Sequence, residues 1–526
     1  MPLLSGILLG ISFPTWPSVH LEPLAWIALV PLLISVEHDE RFAPYFRKVW
    51  LTTLTFCVIS LWWVCLATFT GGLLTIFFQS LFSVAPFALF FLLKRHAGFR
   101  FSLAALPFLW TAWEWAYMQQ DLSLGWLTLG NSQASLLWMV QYADITGVWG
   151  VSFWLVSFNV FVLLLVQERK GVGKAAGIGA ALLLMVAAPL GYAWHLFGEA
   201  SGHSGNRTVR VAMVQPDIDP HEKWDGLGPD ETMARLFRLT GRSLAVDRAD
   251  LVLWPETAIP FSIRDPGNGS YLWAVRRAVE LWNTPLLTGF PDAEHQPRDL
   301  ASIDSDADVR DGSTGGRPYA AYNASMLVQP RDSGLQIYRK MRLVPFGERV
   351  PYSEYLPWLE RMSFSMSGIT SWQQGREATV MSVRRPDGES FRFANIICYE
   401  SIFPELVSRF VSRGAQLITL VTNDGWYGTS YGPWQHAAIG RMRCIENRRS
   451  MARCANTGVT LVYDRYGRSI AETPWWESRV LTVDVPLENG LTFYTEHPDL
   501  FPKLCLGIGG VLMAMGVVRK KAVDNG

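Results

Sequence analysis

The chain has 526 residues, more than one hydrophobic core supports, so at least two folding units are expected. Its 46 Lys and Arg balance 46 Asp and Glu, and the lack of a net field sets nucleic acid and other polyanionic partners aside. With 49% hydrophobic residues, 17% charged residues and 23 Trp, the composition is too apolar for an ordinary soluble enzyme and points to a membrane part.

Two short apolar runs, Leu3 to Phe13 and Leu24 to Val36, are bounded or interrupted by Pro and read as a tight transmembrane pair. A signal peptide is the competing reading of the first, but a basic n-region and an A-x-A site are missing. Runs of spanning length follow at Trp50 to Thr68, Leu74 to Leu93, Phe101 to Tyr117, Gly147 to Val166 and Ala175 to Leu196. A last one, Phe501 to Val518, comes after a long polar block. A bilayer core asks for about 20 apolar residues, so eight spans are expected.

Basic residues set the orientation, because Lys and Arg beside spans stay on the cytoplasmic side. They occur in alternate loops: Arg41, Arg47 and Lys48; Lys94, Arg95 and Arg100; Arg169, Lys170 and Lys174; and the tail Arg519, Lys520 and Lys521. The other loops, Pro14 to Pro23, Thr68 to Gly72 and Gln119 to Ile145, have none. The polar block between the seventh and eighth spans is therefore expected outside, and the C-terminus in the cytoplasm. The outward loop Gln119 to Ile145 carries Trp126, Leu136, Leu137, Trp138 and Met139, which suits either an anchor at the headgroup level or one wall of a lipid-accessible cleft.

From Thr208 the pattern changes to short β-branched runs separated by helical stretches, the signature of an α/β layered domain. Strands are expected at Val209 to Gln215, Leu251 to Trp254, Pro285 to Gly289, Tyr322 to Val328, Arg392 to Cys398, Leu417 to Thr422 and Thr460 to Tyr463. Helices are expected at Glu231 to Ala245, Asn268 to Trp282, Pro404 to Arg413 and Trp434 to Arg449. Asp292 to Arg317, rich in Asp, Ser, Gly and Arg, reads as a mobile insertion, with a lid over a nearby site as one role for it.

The six cysteines show no CxxC or Cys/His spacing, so no zinc site or redox pair is expected. Cys57, Cys65 and Cys505 fall in apolar segments and read as small core residues. Cys444 and Cys454 fall in a helix-like stretch; if the helix is continuous, their ten-residue separation is roughly 15 Å, too far for a disulfide. Cys398 is then expected to be unpaired. It ends an apolar run and precedes Tyr399-Glu400-Ser-Ile-Phe-Pro404, so its thiol can enter a cleft beside backbone amides; a buried inert cysteine is the alternative.

Glu256 ends the run Leu251-Val-Leu-Trp-Pro255. It is either a solvated helix start or a carboxylate that takes the thiol proton and returns it. Lys340 belongs to the basic cluster Tyr338-Arg-Lys-Met-Arg342, which reads either as a solvated face or as the source of a fixed cation. Such a cation lowers a thiol pKa and neutralises an oxyanion. Spacing alone does not choose Lys340 over Arg339 or Arg342.

Taken together, Trp254-Pro-Glu256, Tyr338-Arg-Lys340 with Leu343-Val-Pro-Phe-Gly-Glu348, and Ile397-Cys-Tyr-Glu400 resemble the Glu, Lys and Cys motifs of the nitrilase superfamily, in the form found in bacterial apolipoprotein N-acyltransferases. Val214-Gln-Pro216, Lys223-Trp-Asp225, Tyr322-Asn323, Thr422-Asn-Asp-Gly-Trp426, Gly432-Pro-Trp-Gln-His436 and Asn456-Thr-Gly-Val459 add to the likeness, which runs over essentially the whole chain. The polar stretch before Tyr322 is longer than the pattern requires.

The resemblance implies a nitrilase-like α-β-β-α sandwich inserted between transmembrane helices 7 and 8 of an eight-helix membrane domain. The expected boundaries are a membrane domain at 1–196, a periplasmic catalytic domain at 207–493, and a final helix with a basic tail at 499–521. It also implies a two-step acyl transfer in a bacterial inner membrane. Cys398 would attack a phospholipid ester to give a thioester, which the α-amino group of a diacylglyceryl-modified apolipoprotein cysteine would resolve. Glu256 would serve as base and acid, with Lys340 and the Tyr399 amide holding the oxyanion. Glu348 would orient Lys340 or shuttle protons, while Trp224, Asn323, Tyr399, Glu400 and Trp426 would shape the cleft. No metal or organic cofactor is implied. Two other readings stand beside this one: a membrane-tethered amidase or nitrilase acting on a small amide, and a transporter or scaffold with a catalytically dead outer domain.

Overall fold

The computed structural model describes residues 1–14, 19–168, 171–200, 207–295, 310–311, 318–353, 355, 372–385 and 388–524. Two compact units emerge: Met1–Ser204 with Ser430–Asn447 and Thr492–Gly526, and Gly205–Thr429 with Arg448–Leu491.

The first unit is helical. Among the described residues, four stretches are long and apolar enough to cross a membrane: Phe69–Ala97, Ala143–Gln167, Val172–Gly198 and Leu500–Arg519. Each overlaps one of the eight expected spans. Phe42–Leu61 and Phe99–Tyr117 are also helical, but Arg47, Lys48 and three threonines dilute the first, and Arg100 and Glu114 the second. Pro2–Ser12 and Glu22–Val36 are apolar and shorter.

Small residues let these helices approach closely. An added Cβ on Gly6 would lie 2.6 Å from Thr52 O, and one on Gly10 would lie 2.6 Å from Ile59 Cβ, so Pro2–Ser12 packs backbone-close against Phe42–Leu61. The chain break before the helix Val30–Val36 is closed by Asn159. Its Oδ1 accepts from Leu29 N and its Nδ2 donates to Ala25 O, each at 2.8 Å, satisfying groups that an apolar setting leaves costly. The aromatic loop fits neither simple expectation at Trp126, which is buried and donates Nε1 to Gln435 Oε1 at 2.8 Å. Trp138 is 47% exposed and meets the Phe197 ring edge-on.

The second unit is built on two sheets. One contains β1 (Thr208–Gln215), β2 (Leu251–Leu253), β3 (Leu286–His295), β4 (Arg310–Asp311), β5 (Pro318–Val328), β6 (Gln336–Arg339) and β13 (Arg479–Pro486), in the order β13-β1-β2-β3-β5-β4 with β6 also on β5. The other runs β12-β11-β10-β9-β8-β7, from β7 (Val380–Arg384), β8 (Ser390–Ile397), β9 (Leu417–Thr422), β10 (Met451–Ala455), β11 (Leu461–Tyr463) and β12 (Ser469–Glu472).

Each sheet has a parallel centre, β1-β2-β3 in one and β10-β9-β8 in the other, flanked by antiparallel strands. Central parallel strands are covered on both faces, which is why Leu417-Ile-Thr-Leu-Val-Thr422 is buried throughout. The sheets meet face to face: Asn395 Nδ2 donates to Ser325 Oγ at 2.8 Å, and Cys454 Sγ lies 3.4 Å from Val214 O. On the outer face of the first sheet, Trp254, Phe290 and Val252 pack with Leu236 of the helix Pro229–Val246 and Val275 of the helix Gly269–Trp282. The helix Pro404–Ser412 follows β8 on the second.

Two sequence expectations need correction. The insertion does not begin at Asp292, because β3 continues to His295, opposite Tyr319. Asp292 is fully buried and pairs with Arg264 at 2.7 Å and Arg339 at 2.8 Å, which offsets the weak strand preference of Pro, Asp and Glu there. Residues 296–309 and 312–317 of the expected insertion lie outside the described residues. Cys454 is in β10 rather than in a helix continuing from Cys444, since the helix Gly432–Asn447 has already ended; the two form no disulfide.

Candidate active site

Parallel strands end where their loops converge, and that edge carries the chemistry. Glu256 follows β2, Cys398 follows β8 and Asn423 follows β9. Lys340 follows β6 and donates its backbone N–H to Asn323 O at 2.8 Å. Glu256, Asn323, Lys340, Glu348, Cys398 and Trp426 line one cleft of about 540 Å³, open mouth included, together with Thr257, Trp372, Asn423 and Tyr427.

Lys340 is the hub. Its Nζ lies 3.1 Å from Glu256 Oε1 and 2.8 Å from Glu348 Oε1, and it is 1% exposed. Burial works against the ammonium, but Glu256 and then Glu348 outweigh it and hold the group well above the ordinary lysine range. Asn323 Nδ2 donates to the same two carboxylate oxygens, 2.9 Å from each, so its amide orientation is fixed by the pair. Glu348 Oε2 accepts from Val344 N at 2.8 Å, tying the carboxylate to its own loop.

The alternatives to Lys340 are engaged elsewhere. Arg339, on the opposite side of the strand, pairs with Asp292 and Glu294 and covers the Tyr322 ring. Arg342 reaches Glu405 and the Phe403 ring. Neither lines the cleft.

Cys398 has φ of 49°, in the left-handed region, and starts the turn Cys398–Ile402. Burial pushes its thiol up, Glu256 adds to this, and Lys340 and a hydrogen bond with Thr422 oppose it. The resting sulfur is thus a thiol that needs a base. Glu400 pins the turn from behind: Oε2 accepts from Ile397 N at 2.9 Å, and Oε1 from Tyr338 OH at 2.5 Å and Met341 N at 2.6 Å. Burial raises the Glu400 carboxyl to about 7 against the pull of these hydrogen bonds. Tyr399 and Glu400, expected to shape the cleft, are instead buried behind it and absent from its lining. The Trp224 side chain lies outside the described residues.

Close backbone packing fixes Glu256. Thr257 has φ of 44°, and a Cβ on Gly289 of β3 would lie 2.5 Å from Thr257 N and 2.9 Å from Glu256 Cα. Gly289→Ala must therefore shift the Glu256 turn. It is expected to lower stability by about 1–3 kcal/mol, read from thermal unfolding in detergent; an unchanged melting curve would show that the turn relaxes freely.

Residues 210–490 match the carbon-nitrogen hydrolase family, and residues 5–161 match the apolipoprotein N-acyltransferase N-terminal domain. An apolipoprotein N-acyltransferase of Chlorobaculum tepidum is 67% identical over 521 residues, covering 99% of this chain and 97% of its own. The chain belongs to the apolipoprotein N-acyltransferase family. A further member, from Geobacter metallireducens, is 30% identical over 534 residues, covering 99% and 95%. Among solved structures, Nit3 of Saccharomyces cerevisiae, a member of branch 10 of the nitrilase superfamily, is 16% identical with a TM-score of 0.37, over 57% of this chain and 94% of its own. An amidase from Nesterenkonia sp. is 18% identical with a TM-score of 0.37, over 56% and 94%.

Membership makes this chain an acyltransferase enzyme with a carbon-nitrogen hydrolase domain. Sequence reasoning missed Thr257, Trp372 and Tyr427 in the lining. Thr257 and Tyr427 adjoin motifs already singled out, at Glu256 and Trp426. Trp372 carried no local signal, and reaches the cleft because its N–H donates to Glu348 O at 2.9 Å.

Proposed function

We propose that the protein transfers an acyl chain from a phospholipid, through a thioester on Cys398, to the α-amino group of a diacylglyceryl-modified N-terminal cysteine of apolipoproteins. The observation that carries this reading is the shared cleft in which the Cys398 thiol, the Glu256 carboxylate and the Lys340 ammonium converge. The family membership and the names of the relatives support it.

In the first half-reaction Glu256 takes the thiol proton as sulfur attacks the ester carbonyl. Lys340 Nζ and the Tyr399 N–H stabilise the oxyanion, and Glu256 then passes the proton to the departing lysophospholipid oxygen. In the second, the amine attacks the thioester, its proton moves to Glu256, and the thiolate leaves and recovers that proton. Glu348 and Asn323 keep Lys340 and Glu256 in register, and Trp426 borders the bound chains.

A donor confined to a bilayer must present its ester at the headgroup plane, which explains why the enzyme carries apolar helices at all. The reading includes eight spans, with residues 1–196 and 499–521 in the inner membrane. It places the catalytic domain, 207–493, on the periplasmic side and the C-terminus in the cytoplasm, in accord with the basic loops.

The test is incubation of the purified enzyme with phospholipid alone. One acyl chain is expected on Cys398, seen by intact mass and released by hydroxylamine. Folded protein that never acquires this mass, or that instead releases ammonia from small amides, would end the proposal.

A further inference from the structure

Lys223 is a second buried lysine beside the cleft. It sits in the short helix Pro220–Asp225, is 4% exposed, and donates Nζ to Thr257 Oγ1 at 3.0 Å. Thr257 is the left-handed residue next to Glu256 and itself lines the cleft. The contact therefore grips the turn that aims the carboxylate.

Charge counting gives the lysine a second task. Glu256 and Glu348 bring two negative charges to a buried cluster in which Lys340 supplies one positive charge. A net charge held out of water is costly, and a second cation removes it. The other groups around Lys223 do not serve this purpose. Asp424, on a loop whose Gly425 packs against Pro220, is neutralised by buried Arg453 at 2.7 Å. Asp219 and Glu222 are exposed and Asp217 is half-buried. Cys398 and Tyr427 are held in their neutral forms by burial.

We propose that Lys223 is a positioning residue of the acyl transfer: it clamps Thr257 and brings the Glu256, Glu348 and Lys340 cluster to zero net charge. The proton then passes from Cys398 to Glu256 beside a cluster that starts out neutral. This inference rests on the acyl-transfer reading of the same cleft. Burial lowers the Lys223 ammonium to about 7, with Glu256 opposing, so its charge is present below that pH and lost above it. Its electrostatic contribution follows the same sign.

The experiment is alkylation of Cys398 by iodoacetamide at pH 6 and pH 8.5, followed by peptide mass spectrometry on the full-length enzyme. Lys223→Gln keeps an N–H donor for Thr257 and removes the charge. It is expected to slow alkylation about tenfold at pH 6 and by less than about threefold at pH 8.5, where the parent lysine is already neutral. Thr257→Val keeps the ammonium and removes its partner, and is expected to slow alkylation by a similar factor at both pH values. Equal losses at the two pH values for Lys223→Gln, or no loss, would overturn the charge role. An unaffected Thr257→Val would overturn the clamp. Parent enzyme that shows these alkylation patterns but never accepts an acyl chain from phospholipid would remove the acyl-transfer reading instead.

Discussion

Cys398→Ala is expected to abolish the phospholipid-derived mass gain and to reduce acyl transfer by at least about 10⁴-fold, because the proposed route carries the acyl chain on that sulfur. The stability of variants at this position separates chemistry from folding. A non-glycine residue at φ of 49° holds strain of about 1–3 kcal/mol. The strain is sustained by Glu400, whose carboxylate accepts from Ile397 N just ahead of the turn. Cys398→Gly removes the steric cause of the strain while deleting the sulfur. It should be as inactive as Cys398→Ala yet melt at the same temperature as the parent or higher. A Cys398→Gly protein that melts well below Cys398→Ala would show that the turn stores no such strain.

Lys340→Met is the second large effect, and it should appear in both activity and stability. The substitution leaves Glu256 and Glu348 facing each other, largely buried, with their shared cation gone. Removing one partner of a buried pair costs about 3–5 kcal/mol. Loss of the oxyanion cation should lower acyl transfer at least about 10³-fold. The pH dependence has a definite sign. In the parent the Lys340 ammonium is held well above the ordinary lysine range, so it contributes stability that is fully present below that range and is lost as pH rises through its raised folded value, a loss the Met variant does not share. Thermal unfolding of parent and variant from neutral to strongly alkaline pH measures this: the gap between them should narrow at the alkaline end, and parallel curves would show that Lys340 does not neutralise the pair.

Much of this cleft was legible in the sequence because strand ends are marked locally. Apolar runs stop at Trp254 and Ile397, and Glu256 and Cys398 stand directly beyond them. What could not be read were features imposed from a distance. Lys340 differs from Arg339 and Arg342 only through strand alternation and through the carboxylates each one meets. Arg453 in β10 is neutralised in the interior by Asp424, far away in sequence, and nothing local announces that pairing. Asp292 is the same case, since its strand survives only because two arginines converge on it. Glu400 was assigned to the cleft from its place in a motif, whereas its carboxylate faces the backbone behind Cys398.

The chain passes from one compact unit to the other at 204–205, 429–430, 447–448 and 491–492. Those four crossings mean that the carbon-nitrogen hydrolase half cannot be lifted out as a cassette. A fragment spanning 205–491 would retain the helix Gly432–Asn447 with its buried Gln435, Arg443 and Glu446, but would lose Trp126 and Val148, which meet those side chains in the intact chain. Recombination that exchanges this half between relatives would have to carry both sets of partners together, which ties the soluble-looking and greasy parts of the gene into one inherited unit.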